Sequence, residues 1–139
     1  MTELLPTDAP DIVVVEDDDG IREALGCLLE GWGYSVRSAE NGARGLALIL
    51  ELPPRVAVVD ISMPKLDGYE LARRVRAALG SEGITLVALT SFSRQADRNR
   101  ALDAGFDIHL TKPATLELLR QAVAPSPDSG VDSAVAVAS

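Results

Sequence analysis

Three short apolar runs constrain the fold more than anything else in this chain. They are Ile12 to Val15, Arg55 to Asp60 and Ile84 to Leu89, and the first and third lead directly into polar residues while the second ends in one. A run that is apolar at nearly every position has no solvent side, so it belongs in a strand covered on both faces. Between the runs the spacing changes to a helical one. Ile21, Leu25, Leu28 and Leu29 recur on one side of a first helix, with Asp18 or Asp19 available as its cap and Gly31 and Gly33 at its end. Asn41-Gly42 opens a second helix with Leu46, Ala47 and Leu50 inward, and Pro53-Pro54 stops it. A third helix carries Leu71, Val75, Ala78 and Leu79 inward and Arg73, Arg74 and Arg76 outward. A fourth, about Arg94 to Ala104, has only Ala96, Ala101, Leu102 and Ala104 to offer a core; a fifth uses Leu116, Leu119, Ala122 and Val123. Tyr34 to Ala39 alternates like an outer strand, and Ile108 to Leu110 makes a short fifth one.

Five strands alternating with five helices imply a parallel sheet with helices on both faces, joined by right-handed crossovers. One domain of this kind accounts for most of the 139 residues. Residues 1–10 carry two prolines and no periodicity and are expected to form a flexible lead. Residues 125–139 are mostly small and unpatterned and are expected to form a disordered tail. No decisive apolar patch is expected on the helices.

Composition removes many chemistries. A single cysteine, Cys27, cannot form an internal disulfide and is expected to pack within the first helix; the single histidine, His109, leaves little room for triad catalysis. The net charge of −8 argues against a nucleic-acid partner. No apolar run approaches the roughly 18 residues of a membrane span, and no leader is visible, so a cytoplasmic chain with no membrane partner is expected.

In parallel sheets of this kind, chemistry gathers at the carboxyl ends of the strands. Glu16 and Asp17 stand there after the first strand, Asp60 after the third, Thr90 after the fourth, and Lys112 after the fifth. Three converging carboxylates repel one another, and a hard divalent cation with oxygen ligands relieves that. Thr90 offers a donor hydroxyl, and Lys112 a point charge for a phosphoryl oxygen. Together these groups suit an acyl-phosphate site with Asp60 as nucleophile. Asp18 and Asp19 are read as cap and surface.

The segments VVVEDD (13–18), VVDISMPKLDGYEL (58–71), ALTS (88–91) and HLTKP (109–113) resemble, in this order, the receiver domain of two-component response regulators, over residues 11–124. Receivers are among the folds from which the strand-end rule was drawn, so rule and resemblance are not independent. The resemblance implies a flavodoxin-like doubly wound sheet of five parallel strands, order 2-1-3-4-5, with five helices. It implies phosphorylation of Asp60 by a histidine kinase or histidine phosphotransfer protein, with Mg²⁺ or Mn²⁺ as cofactor. Asp17 would ligate the metal directly, Glu16 through a metal-bound water, and the Ser62 main-chain carbonyl would add a ligand. Thr90 would follow the phosphoryl group and Lys112 would pair with it. Members often carry Tyr or Phe as a rotating switch where this chain has His109, whose alternative is a half-exposed strand position. The GFDIHLTKP stretch is similar to receivers of hybrid kinases or stand-alone receivers. Output is then expected through a protein partner rather than by turnover. Two alternatives are an aspartyl-nucleophile Mg²⁺ phosphohydrolase, which would want a second acid where Ser62 stands, and a docking module that works without phosphate.

Overall fold

The computed structural model describes residues 9–61, 68–80, 83–91, 95–112 and 114–125. Five parallel strands form one sheet: β1 (Ile12–Val15), β2 (Val36–Ala39), β3 (Val56–Asp60), β4 (Thr85–Thr90) and β5 (Ile108–Thr111). Their order is β2-β1-β3-β4-β5, the doubly wound arrangement expected. Five helices alternate with them: α1 (Asp19–Gly31), α2 (Gly42–Glu51), α3 (Gly68–Leu79), α4 (Gln95–Ala104) and α5 (Leu116–Val123). Apart from Ala9, Pro10 and Pro125, the expected lead and tail lie outside the described residues, as do Ser62 and Pro113. No helix among the described residues is long and apolar enough to cross a membrane.

Strand alternation divides the core into two halves. Val13, Val15, Ala57, Val59, Leu86 and Ala88 pack with α2, α3 and α4; Ile12, Val14, Val56, Val58, Val87 and Leu89 pack with α1 and α5. Each strand of the centre therefore buries both faces, which is why β1 and β3 read as unbroken apolar runs. Edge strand β2 has one neighbour and buries only Ala39, and its pairing begins at Val36 rather than Tyr34.

Side-chain caps start three of the helices. The Asp18 carboxylate accepts from the Ile21 N–H at 2.9 Å, Asn41 from Arg44 at 2.8 Å, and the Thr115 hydroxyl from Leu118 at 3.1 Å. Two glycines set how closely helices approach the sheet. A Cβ on Gly45 would lie 2.5 Å from Val15 Cγ2, and one on Gly68 only 2.6 Å from the Ile61 backbone.

The helix faces differ from several sequence-based expectations. In α2 the buried side is Gly42, Gly45 and Ile49; Ala47 and Leu50 face solvent. In α3 Ala72 is buried in place of Ala78, which is exposed. Arg76 does not point outward: its guanidinium donates to the carbonyls of Gly105 (2.9 Å) and Ile84 (3.0 Å) and pairs with Asp107 at 2.7 Å. It ties α3 to the loops flanking β4 and β5, its stem covering apolar surface. In α4 only Ala101 and Ala104 are buried, while Ala96 and Leu102 are exposed. Cys27 is exposed rather than packed.

Candidate functional site at the carboxyl edge of the sheet

The site is built by the ends of four strands. Glu16 follows β1 and is 1% exposed; Asp60 ends β3 at 3%; Thr90 ends β4 fully buried. Lys112 follows β5, where its backbone N–H donates to the Thr90 carbonyl at 2.7 Å. Strand parity sorts the side chains. Glu16, Asp60 and Lys112 continue the parity of the residues packed against α1 and α5; Thr90 and His109 continue that of the α4 side.

The first three residues meet. Lys112 Nζ lies 3.2 Å from Asp60 Oδ2 and 3.3 Å from Glu16 Oε1. Asp17, exposed at the rim, completes a set of three carboxylates whose oxygens all lie within 4.8 Å of one another. The arrangement shapes the charge states. Burial, reinforced by the hydrogen bond and charge of Asp60, pushes the Glu16 carboxyl up from 4.5 to about 7. Burial works to lower the Lys112 pKa, but the Asp60 and Glu16 charges outweigh it and raise the pKa above its ordinary value.

The donor set fits a hard divalent cation. Three carboxylates sharing one small volume, one of them driven to hold a proton near neutrality, are short of positive charge even with Lys112 between two of them. Oxygen ligands with an exposed rim suit Mg²⁺, which keeps several waters. The expected Ser62 carbonyl ligand lies outside the described residues.

His109 is not half-exposed. It is 5% exposed, and neither ring nitrogen has a hydrogen-bond partner among the described residues. Burial first, then the charge of Arg98, lowers its pKa below the ordinary imidazole value.

Two features escaped the sequence reading. An open apolar groove of about 560 Å³ runs between α1 and α5, lined by Ile21, Leu25, Leu28, Leu116 and Leu119, with Lys112 also in its lining. Ile21 is 41% and Leu116 62% exposed, so these two residues serve a surface rather than the core. Their positions in the first turns of two neighbouring helices, both starting at the site edge, were the available signal. The second feature is Arg22, whose Nη1 donates to the main-chain carbonyl of Glu16 at 2.9 Å.

The chain matches the response regulator receiver domain family over residues 12–124. It belongs to that family, the receiver domains of two-component systems. It is 42% identical over 111 residues to an uncharacterized 14.6 kDa protein in the sodA1 3' region of Leptolyngbya boryana, covering 79% of this chain and 85% of that one. It is 39% identical over 130 residues to response regulator MprA of Mycobacterium sp. (strain KMS), covering 88% of this chain. The chain spans about half of MprA's length, 54%. Among solved structures it is similar to one from the co-crystal of the Saccharomyces cerevisiae histidine phosphotransfer protein Ypd1 with the receiver domain of its downstream regulator Ssk1. There the TM-score is 0.74 at 26% identity, over 83% of this chain and 86% of that one.

Proposed function

We propose that the chain is a phosphoacceptor in a phosphorelay, with Asp60 as the acceptor and a histidine kinase or histidine phosphotransfer protein as donor. The observation that carries this is the contact of Lys112 with both Asp60 and Glu16 inside a three-carboxylate pocket. An Asp60 carboxylate oxygen attacks the phosphorus, the phosphorus–nitrogen bond of the donor breaks, and the donor imidazole leaves. Bound Mg²⁺, held by Glu16, Asp17, Asp60 and the Ser62 carbonyl, would neutralise phosphoryl charge. Lys112, already beside Asp60, pairs with a phosphoryl oxygen. The Thr90 hydroxyl donates a hydrogen bond to another.

The groove between α1 and α5 supports docking of the donor, because its mostly apolar lining includes Lys112, which contacts the acceptor. Thr90 and His109 on the opposite parity support readout through α4 to a protein partner. The reading is of one phosphoryl group accepted per chain, without steady turnover, in the cytoplasm.

The test is phosphorylation by acetyl phosphate with Mg²⁺, followed by intact mass, with beryllofluoride as a mimic followed by amide NMR. Wild-type chain gains one phosphoryl group, and beryllofluoride moves signals around Asp60 and along α4. Asp60→Asn does neither. No response in the wild type, or an equal one in Asp60→Asn, refutes the proposal.

A further inference from the structure

The turn that presents Asp17 is held at every residue except Asp17 itself. The Asp18 N–H donates to Glu16 Oε2 at 3.2 Å, and the Asp18 carboxylate caps α1. The Glu16 main-chain carbonyl accepts from Arg22 Nη1 at 2.9 Å, and the other arm of that guanidinium pairs with Asp19. The Arg22 backbone N–H in turn donates to the Asp18 carbonyl at 2.8 Å. Among the described residues no hydrogen bond reaches the Asp17 carboxylate. Its position is therefore inherited from its own backbone, and the peptide plane entering Asp17 is the one Arg22 grips.

We infer that Arg22 is a positioning residue for the metal pocket: by holding the Glu16 carbonyl and Asp19 together it fixes the Glu16–Asp17 peptide and so aims Asp17. The inference rests on the proposed Mg²⁺ site and names a residue of this chain that serves it. A planar guanidinium suits the task because one group spans a carbonyl and a carboxylate at fixed spacing. Its side chain is 21% exposed, against 88% for Asp19, so the carbonyl contact lies on the inner, better-shielded side of the fork.

Two physical effects give opposite signs when Arg22 is removed. Loss of a nearby positive charge would tighten binding of a cation. Loss of the grip would let the turn sample orientations in which Asp17 is misaimed, and would weaken it. The guanidinium charge is already offset by Asp19, so its field at the pocket is small and the geometric effect prevails.

The experiment is titration of the full chain with Mg²⁺ alone, read from amide chemical shifts at Asp17, Asp60 and Lys112. Arg22→Gln is expected to raise the Mg²⁺ dissociation constant about fivefold or more. Arg22→Lys, which can reach the carbonyl or Asp19 but not both in register, recovers part of that. Amide shifts of β5 and α5 report whether the fold is intact. Should Arg22→Gln not fold, the Arg22→Lys value decides by itself: weaker binding than wild type supports the inference. Equal or tighter Mg²⁺ binding in a folded variant overturns the role of Arg22 while leaving the pocket standing. Failure of the wild-type chain to bind Mg²⁺ overturns the pocket and the inference together.

Discussion

Replacing Glu16 by Gln removes the group whose charge state the fold disturbs most visibly. Glu16 is 1% exposed, and burial with Asp60 beside it raises its pKa from 4.5 to about 7. A carboxyl whose pKa is raised on folding binds its proton more tightly in the native than in the unfolded chain. Between those two values the native state thus holds more protons, and stability falls as pH rises through that window. A shift of that size corresponds to about 3 kcal/mol, lost between about pH 4.5 and 7. The assay is urea unfolding followed by far-ultraviolet circular dichroism, at pH 5 and pH 7.5, in chelator and in Mg²⁺. In chelator, wild type should lose about 2 kcal/mol more than Glu16→Gln on going from pH 5 to pH 7.5, which spans most of that window. His109 acts with the opposite sign, because a lowered imidazole pKa makes stability rise with pH. It is present in both chains, so it cancels from the difference between them, which reports Glu16 together with its contacts to Asp60 and Lys112. Mg²⁺ should restore most of the wild-type loss and less in the variant, since the ion compensates the ionised carboxylate. Parallel pH responses in the two chains would refute the reasoning, as would a wild-type loss that Mg²⁺ leaves unchanged.

His109, the sole histidine, gives an isolated imidazole NMR signal, and its titration midpoint should fall below the ordinary 6.5 because burial and Arg98 disfavour the cation. A midpoint at or above 6.5 would count against that environment. Gly68→Ala should destabilise the chain by about 1–3 kcal/mol, since the new methyl would sit 2.6 Å from Ile61 Cα and must push α3 off the sheet beside Asp60. Thermal melting with no loss would show that α3 yields without cost.

The strand ends were legible in the sequence for a simple reason. A doubly buried strand leaves no choice about which positions are apolar, so the first polar residue after Val15 and the terminal Asp60 of β3 mark the sheet edge directly. Helix faces were less legible because a glycine contact can rotate a helix without changing its apolar spacing. Gly45 lies against Val15 and Gly68 against Ile61, and the buried positions beside them are Ile49 rather than Leu50 in α2 and Ala72 rather than Ala78 in α3. Arg76 misled for another reason: a long side chain can start at an exposed helix position and still spend its guanidinium on buried carbonyls. Ile21 and Leu116 fitted a core stripe equally well as they fit a groove. Periodicity reports a face of a helix but not whether a neighbour covers it.

On the proposed function, parity at the sheet edge would separate the accepting groups from the readout groups in so small a fold. Glu16, Asp60 and Lys112 share the side of α1 and α5, and Lys112 also lines the groove between those helices. Thr90 shares the side of Ala88 and, across β4 and β5, of His109, where α4 lies. α4 buries Ala101 and Ala104, and Arg100 lies over the Tyr69 ring at 4.2 Å from its centroid, joining α4 to α3. On the same face as Thr90 stands His109, buried, with neither ring nitrogen hydrogen-bonded among the described residues. A group arriving on Asp60 would therefore be received from one side of the sheet. On the proposed function it would be felt on the other through Thr90, the residue that ends the adjacent strand, on the side where α4 lies.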